Sequence, residues 1–267
     1  MSAALFADLD GTTIFSARHA LDRPDQFTGL TVVETFRDAP LSFMTGGALQ
    51  DLAALSDDLE FVPTTTRTRD QFDRVRLSGV RSRYAIIANG GRILENEVED
   101  PAWTAQVTSR LTDCTPVDEL KSQVRAIVDG AGWLRSLRQI EDLFLYLEAA
   151  PGSTVPELVV DRLRELADAG EVTFSRQGGK VYLIPNAVTK EAAAAEIASR
   201  LGGCVTFASG DSALDLGMMR WADFAIHPAH GELATEEHGI SRTLHSGVDA
   251  GEDIVAFVRT RLSAGRF

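Results

Sequence analysis

Cysteine is scarce in this sequence. The 267 residues include two cysteines, Cys114 and Cys204, which lie far apart in the chain and have no cluster of possible zinc ligands beside them. A disulfide-stabilised fold and a structural zinc site are therefore not predicted. We expect both thiols to be reduced.

Basic residues are also in short supply. Acidic side chains number 39 against 26 basic ones, which gives a formal net charge of −13 and a pI near 4.8. Nucleic acids and anionic lipid surfaces attract proteins with the opposite balance. We therefore expect no nucleic-acid partner and no membrane partner. Nothing in the pattern indicates an oligomeric state.

Long apolar runs are absent too. No segment reaches the length that an apolar helix needs to span a bilayer. The first residues run into an acidic motif without the basic and apolar regions of a signal peptide. We therefore expect a cytoplasmic protein. Hydrophobic residues at 44% and charged residues at 24% are ordinary for a globular chain with a buried core.

Short apolar runs, by contrast, recur along the chain. They are typical of the buried strands of a parallel sheet and occupy residues 3–7, 61–65, 84–88, 204–208 and 224–227. Helix-period segments separate several of them, as in residues 47–59, where leucines recur along one stripe. This alternation predicts an α/β fold, with a Rossmann-like parallel-sheet core and helices on both faces.

The middle of the chain has a different pattern. Its predicted helices cover 103–111, 117–128 and 155–169, and its strand-like runs cover 134–140, 143–149, 171–175 and 180–184. This α+β insert interrupts the core. We therefore predict a cap domain over 92–184, between core segments 1–91 and 185–267. A β-hairpin with its turn at 37–40 is predicted within 31–44.

The most informative motif is Asp8-Leu9-Asp10-Gly11-Thr12, directly after the first apolar run. Alternation along a strand puts Asp8 and Asp10 on the same side where the strand ends, and Gly11 permits a sharp turn. Two like charges in one small site are costly unless a cation lies between them or their pKa values separate. Both outcomes are functional. The alternative is an acidic turn that caps the next element.

A second acidic cluster, Gly210-Asp211-Ser212-Ala213-Leu214-Asp215, follows the apolar run at 204–208. The carboxyl ends of neighbouring parallel strands meet at one edge of a sheet, where ligands bind. Asp211 and Asp215 are then expected to join Asp8 and Asp10 around one hard cation, and oxygen-only ligands favour Mg²⁺. Taken alone, the cluster is equally typical of an ordinary loop.

Together these motifs resemble those of haloacid dehalogenase (HAD) superfamily phosphatases, in the branch of Cof-type sugar phosphatases and sucrose-phosphate phosphatases. The first family motif, Asp-x-Asp-Gly-Thr, matches residues 8–12, and the fourth matches 210–215 except that Leu214 replaces the usual asparagine. The second matches Thr65-Thr66-Arg67, with Thr66 in the glycine position. The third, a lysine at the start of a helix, matches Lys190. Asn89-Gly90 resembles the step into a C2-type cap.

The resemblance implies a Mg²⁺-dependent phosphatase that acts on a small phosphorylated metabolite, in particular a sugar phosphate. Asp8 is the expected nucleophile, which forms an aspartyl-phosphate, and Asp10 is the expected general acid and base. Thr65 and Lys190 are expected to contact the phosphoryl oxygens. The other expected substrate-binding residues are Gly11, Thr12, Thr66, Arg67 and Asn89. The expected Mg²⁺ ligands are Asp8, the Asp10 backbone carbonyl and Asp211, with Asp215 in support.

Several of these residues also have an ordinary interpretation. Thr65 is typical of a β-branched strand end, and Lys190 of a solvated lysine in the first turn of a helix. His227 and His230 resemble a metal-binding pair. However, Pro228 breaks their helical spacing, so a surface loop is predicted there instead.

Two other functions stay open. A phosphomutase would use the same aspartyl-phosphate to move phosphate between two positions, and it would need to keep water from the intermediate. A non-catalytic sugar-phosphate sensor would retain the fold. The presence of both Asp8 and Asp10 disfavours the sensor, because binding alone does not require both carboxylates.

Overall fold

The computed structural model describes residues 2–17, 29–235 and 237–265. The strands are β1 (Ala3–Ala7), β2 (Phe15–Ser16), β3 (Leu30–Phe36), β4 (Ala39–Thr45), β5 (Glu60–Pro63), β6 (Tyr84–Ile87), β7 (Arg92–Glu95), β8 (Val98–Glu99), β9 (Leu134–Ile140), β10 (Phe144–Ala149), β11 (Val172–Gln177), β12 (Lys180–Pro185), β13 (Val205–Ser209), β14 (Phe224–His227) and β15 (Ser241–Arg242). The helices are α1 (Gly46–Leu55), α2 (Arg69–Phe72), α3 (Pro101–Leu111), α4 (Val117–Val128), α5 (Glu157–Ala169), α6 (Lys190–Arg200), α7 (Leu216–Trp221) and α8 (Ala250–Ala264). Among the described residues, no helix combines the length and the apolarity needed to cross a membrane.

The chain divides into two compact units. The first contains Met1–Asp100 and Lys190–Phe267, and the second contains Pro101–Thr189. Each unit has its own hydrophobic core, built from side chains of that unit. The chain therefore enters and leaves the second unit from the first.

The first unit is built around a five-stranded parallel sheet. Its strand order is β15-β14-β13-β1-β5, so β1 lies inside the sheet between β13 and β5. Every residue of β1 and of β13 is buried, because helices flank the sheet and apolar side chains are needed on both faces. The core includes Leu5, Leu52, Phe61, Phe207 and Val255. The predicted α/β fold with a parallel-sheet core is confirmed.

Helix α1 shows how local sequence and packing agree. Thr45 caps its first turn, since its hydroxyl accepts the Ala48 N–H at 2.9 Å. Leu49, Leu52 and Leu55 then recur at helical spacing, and all three are buried in the core of the first unit. The leucine stripe seen in the sequence is thus the packed face of this helix.

Two small antiparallel sheets complete the first unit. One has the order β2-β4-β3, and the other has the order β6-β7-β8. In the hairpin of β3 and β4, Phe36 pairs with Ala39 around a two-residue turn. Arg37 and Asp38 in that turn have φ angles of 51° and 62°, as a tight hairpin turn with the favoured twist requires. The hairpin predicted within 31–44 is confirmed.

The second unit is an α+β module. Its four-stranded antiparallel sheet has the order β11-β12-β10-β9. Helices α4 and α5 are amphipathic and pack on one face of this sheet. The shared core includes Leu120, Val124, Val160, Leu163, Leu145, Leu147, Val181 and Leu183. The predicted helices and strands in this part of the chain are present, with ends shifted by one or two residues.

The boundaries of the second unit differ from the predicted 92 and 184. Strand β7 pairs antiparallel with β6, and Arg200 forms a 2.5 Å ion pair with Asp100, so residues 92–100 pack with the first unit. At the other end, the Asn186 N–H donates to the Glu171 carbonyl at 3.1 Å. Both residues belong to the second unit. These pairings are long-range, so the local sequence pattern does not contain them, and the cap domain over 92–184 stays a prediction.

Candidate active site

The Asp8–Thr12 segment makes a tight turn at the carboxyl end of β1. The Asp8 N–H donates to the Ser209 carbonyl at 2.9 Å, which continues the ladder between β1 and β13. Gly11 has a φ angle of 80°, and a Cβ at this position would lie 2.7 Å from Asp211 Oδ2. Only glycine fits both the conformation and the space. The turn therefore brings the first acidic motif against the second.

Asp8 and Asp10 lie in different surroundings. Asp8 is 6% exposed, whereas the side chain of Asp10 is 54% exposed. Burial raises the pKa of Asp8 to about 7; the positive charge of Lys190 opposes this rise, and the carboxylates of Asp215 and Asp10 add to it. One carboxylate is thus enclosed and the other faces solvent.

Lys190 is the cation of the buried site. It is the first residue of α6 and is 1% exposed. Its Nζ donates to Asp8 Oδ1 at 2.6 Å and to Asp215 Oδ1 at 2.5 Å. Burial by itself would lower the pKa of Lys190, but the charges of Asp215 and Asp8 outweigh this and raise it. Lys190 therefore stays charged, and its interpretation as a solvated surface lysine is wrong.

Asp215 is a buried acceptor that anchors this lysine. Its other oxygen, Oδ2, accepts the Ser212 N–H at 3.1 Å and the Ser212 hydroxyl at 2.8 Å. A Cβ at Gly210 would lie 2.2 Å from the Asp215 Cβ, so the fit of Asp215 also depends on glycine there. Leu214, which lies where the motif of the resembled family has asparagine, is buried. Ser212 and Lys190 together hold Asp215 in place.

Three carboxylates could hold a metal ion. Ligand oxygens of Asp8, Asp211 and Asp215 lie within 4.8 Å of one another. Burial raises the pKa of Asp211 well above its usual range, and the neighbouring Asp8 and Asp215 charges add to this rise. Two buried carboxylates and one partly buried carboxylate beside a single lysine leave an excess of negative charge, which a cation would neutralise. All three offer oxygen, the donor that a hard divalent cation such as Mg²⁺ prefers. The residues present fit Mg²⁺.

Thr12 and Thr65, one from each motif, are fully enclosed. Thr12 is 0% exposed, and its hydroxyl has no hydrogen-bond partner among the described residues. Thr65 is also 0% exposed, and its hydroxyl oxygen accepts the Arg67 N–H at 3.1 Å. The Thr65 carbonyl accepts the Asn89 N–H at 2.9 Å, so the segment after β5 is tied to the segment after β6. Asn89 itself has a φ angle of 57° and is buried. Thr66, between these two ties, is partly buried.

The guanidinium of Arg67 binds Asp10 with two parallel hydrogen bonds. Its Nε donates to Asp10 Oδ2 at 2.7 Å, and its Nη2 donates to Asp10 Oδ1 at 2.8 Å. Nη2 also donates to Glu34 Oε2 at 2.8 Å, and Nη1 donates to the Gln71 carbonyl at 3.2 Å. All three nitrogens of the expected substrate-binding arginine thus donate to protein groups. The sequence pattern gave no indication of Glu34, because β3 is separated from every motif along the chain.

The histidine pair does not form a surface loop. His227 is 3% exposed, and its Nδ1 lies 2.8 Å from the Pro228 carbonyl. His230 Nδ1 accepts the Gly247 N–H at 3.0 Å, so the proton sits on Nε2, which donates to the Gly11 carbonyl at 2.9 Å. A loop does follow β14, but its predicted surface position is wrong, because His227 and Pro228 are buried and His230 is half-buried. The hydrogen bond between His230 and Gly11 of the first motif joins residues more than 200 positions apart, so the local sequence pattern does not contain it.

Comparisons with known proteins identify the fold. No family model and no curated protein matches the sequence. Solved structures do match: the chain has the fold of HAD-superfamily phosphatases over 98% of its length. This confirms the resemblance at the level of the fold.

Three of these structures illustrate the likeness. A sucrose-phosphatase from Synechocystis, in complex with sucrose and phosphate, has a TM-score of 0.65 at 16% identity, with 98% of this chain and 99% of that chain covered. A sugar phosphatase of HAD subclass IIB has a TM-score of 0.61 at 15% identity, with 98% and 100% covered. A HAD phosphatase from Bacteroides thetaiotaomicron has a TM-score of 0.58 at 14% identity, with 98% and 96% covered. Because these identities are low, the comparisons establish the fold only, and the activity must be inferred from the residues of the site.

Proposed function

We propose that this protein is a Mg²⁺-dependent phosphatase that hydrolyses a small phosphorylated metabolite through an aspartyl-phosphate on Asp8. The observation that carries the proposal is the buried Asp8 carboxylate, which shares its site with one lysine and two further carboxylates. A purely structural ion pair needs no third carboxylate. A site for a dianionic phosphate and a divalent cation needs both the lysine and the three carboxylates.

Asp8 is the proposed nucleophile. Lys190 binds its Oδ1, which leaves Oδ2 to attack phosphorus in line with the departing oxygen. The Lys190 ammonium also stabilises the negative charge that spreads over the phosphoryl oxygens. Mg²⁺ held by Asp8, Asp211 and the Asp10 carbonyl, with Asp215 in support, would neutralise the charge between carboxylate and phosphate. The immediate products are the aspartyl-phosphate and the released alcohol.

Asp10 is the proposed general acid and base. Its exposed carboxyl donates a proton to the leaving oxygen as the P–O bond breaks, and then takes a proton from the water that hydrolyses the intermediate. That second step restores Asp8 and releases inorganic phosphate. The Thr65 hydroxyl, the backbone of Gly11, Thr12 and Thr66, and Asn89 are proposed to orient the phosphoryl group.

A sugar phosphate is the proposed substrate class, and residues 92–184 are proposed to act as a C2-type cap that selects it. Support comes from the solved structures, which include the sucrose-phosphatase, the subclass IIB sugar phosphatase and a trehalose-6-phosphate phosphatase related protein. A cytoplasmic location, with no nucleic-acid or membrane partner, accords with the acidic composition.

Release of inorganic phosphate from a panel of sugar phosphates, with Mg²⁺ or with EDTA, tests the proposal. We expect Mg²⁺-dependent turnover that Asp8→Asn abolishes, because the amide keeps the volume but is not a nucleophile. Asp58→Asn is the matched control, since Asp58 is an exposed aspartate of the same unit. Full activity in EDTA, or turnover by Asp8→Asn within about tenfold of the parent, would contradict the proposal.

The same assay separates the alternatives. Steady phosphate release without a bisphosphate activator would exclude a phosphomutase. Binding of a sugar phosphate without any turnover would instead favour a sensor.

A further inference from the structure

A buried carboxylate lies behind the pair formed by Arg67 and Asp10. The side chain of Glu34, on β3, is 0% exposed. Its Oε2 accepts Arg67 Nη2 at 2.8 Å and the Ser42 hydroxyl at 2.7 Å, and its Oε1 accepts Arg74 Nε at 3.0 Å. A buried carboxylate is costly unless several donors compensate for its lost hydration. Three donors converge on this one, so it is a built part of the fold.

Backbone irregularity aims Glu34 inward. The β3–β4 pairing shifts register on both sides of this residue: Val32 pairs with Phe43, Glu34 with Ser42, and Thr35 with Pro40. Such bulges redirect a side chain that a regular strand would send elsewhere. Glu34 also forms a bridge with Val75. The hairpin is therefore held on both sides at this residue.

The three side chains form a line from the interior to solvent. Glu34 is enclosed, Arg67 is 10% exposed at its side chain, and Asp10 is 54% exposed. The guanidinium is planar, so the hydrogen bond that Nη2 donates to Glu34 fixes the plane that faces Asp10. The two parallel bonds from Arg67 then fix the Asp10 carboxylate. Glu34 is the most firmly held of the three side chains, because it is enclosed and accepts three hydrogen bonds.

We propose that Glu34 is a positioning residue, which acts through Arg67 to hold Asp10 where it protonates the leaving oxygen. This inference rests on the proposed phosphatase activity. In the step concerned, a bond forms between Asp8 and phosphorus, the bond to the leaving oxygen breaks, and the proton moves from Asp10 to that oxygen. Glu34 neither gives nor takes a proton. Without Glu34, the Arg67 guanidinium could rotate, and the exposed Asp10 carboxylate would leave its productive orientation.

Leaving-group dependence tests this role. Phenyl phosphate and 4-nitrophenyl phosphate have nearly the same shape. Phenolate is the poorer leaving group and departs efficiently only when it is protonated, whereas 4-nitrophenolate departs as the anion. We expect Glu34→Gln to lower kcat/KM for phenyl phosphate about tenfold more than for 4-nitrophenyl phosphate. Both probes are assayed on the same sample, so any unfolded fraction cancels in the ratio of the two values.

Arg74→Gln is the matched control. It removes the other ion pair of the same carboxylate but leaves the bond between Glu34 and Arg67. We expect the ratio of kcat/KM values to stay within about twofold of the parent in this variant. If Glu34→Gln does not fold, Glu34→Asp decides, because it keeps the charge but withdraws it from Arg67; a shift in the same direction is expected.

An unchanged ratio in the folded Glu34 variant, or the same shift in Arg74→Gln, would overturn the positioning role while the phosphatase activity stood. If the parent releases no phosphate from either probe, the proposed function fails, and the positioning role fails with it.

Discussion

Two aspartates of one short motif lie in different surroundings, which supports the different roles proposed for them. Asp8 is enclosed and bound by Lys190, whereas Asp10 is half-exposed and bound by Arg67. Pairs of carboxylates are assigned to nucleophilic and acid-base roles by such differences in environment. The enclosed carboxylate suits attack on phosphorus, and the exposed one suits exchange of protons with the leaving group and with water.

This separation predicts the behaviour of Asp10→Asn. The amide cannot donate the proton, so kcat/KM for a sugar phosphate should fall by at least about a hundredfold. For 4-nitrophenyl phosphate, whose leaving group departs without a proton, the fall in kcat/KM should be much smaller. Steady-state kinetics on both substrates provide the measurement. Equal losses on the two substrates would contradict the acid-base role.

At the scale of secondary-structure elements, the β3–β4 hairpin joins the site through a buried ionic network. Glu34 binds Arg67 and Arg74, which come from the segment after β5. Burial alone would raise the pKa of Glu34, but the hydrogen bonds from Arg67 and Ser42 and the charge of Arg67 lower it. Because the folded-state pKa lies below the usual 4.5, ionised Glu34 stabilises the fold above pH 4.5. That contribution is lost as the pH falls through the folded-state pKa.

Urea unfolding of Glu34→Gln across pH tests this linkage. At pH 7 the variant should be less stable than the parent by roughly 3 kcal/mol, because two arginines lose a buried counter-charge. The difference in unfolding free energy should shrink as the pH falls below 4.5. Glu95→Gln, which affects a more exposed pair with Arg83, is the control and should change stability by less than about 1 kcal/mol. A difference that stays constant down to pH 3 would contradict the linkage.

At the scale of the whole molecule, the chain forms a second unit with its own core, in addition to the unit that contains the candidate site. In that unit, α4 and α5 pack on the face of the sheet that carries Leu145 and Leu147. Residues alternate along a strand, so Tyr146 lies on the opposite face, where its ring is 5.7 Å from that of Tyr182. Lys180 lies 6.0 Å from the Tyr146 ring. Aromatic rings beside a cation form a surface that suits a polar metabolite.

The proposed cap role predicts that the second unit sets substrate preference. Tyr146→Ala should lower kcat/KM for the preferred sugar phosphate by about tenfold, which corresponds to about 1.4 kcal/mol. It should leave 4-nitrophenyl phosphate within about twofold of the parent. Leu158→Ala, at a 75% exposed position of the same unit, is the control and should change neither value. An unchanged rank order of sugar phosphates in Tyr146→Ala would contradict the prediction.

The sequence by itself determined the local features of this protein. Apolar runs predicted β1, β5, β13 and β14 of the parallel sheet, whereas the run at 84–88 forms β6, which pairs antiparallel with β7 in a separate sheet. The leucine stripe predicted α1, and the hairpin turn was predicted from its residues. Asp8, Asp211 and Asp215, chosen from two motifs, lie together in the structure, because the carboxyl ends of adjacent parallel strands must meet. The apolar pattern of a segment and the spacing of its motif residues are local properties, so they can be deduced from the chain alone.

Tertiary structure determined which distant side chains and backbone groups each of these residues contacts. The two aspartate partners of Lys190, the pairing of Arg67 with Asp10 and Glu34, and the contact between His230 and Gly11 join distant parts of the chain. No periodicity encodes such contacts, since they arise when separate elements pack and a buried charge must find its counter-charge. The limits of the second unit depend in the same way on strand pairing and on the ion pair between Arg200 and Asp100. The chain thus specified which groups are available for chemistry, and packing specified which of them are enclosed, paired and held.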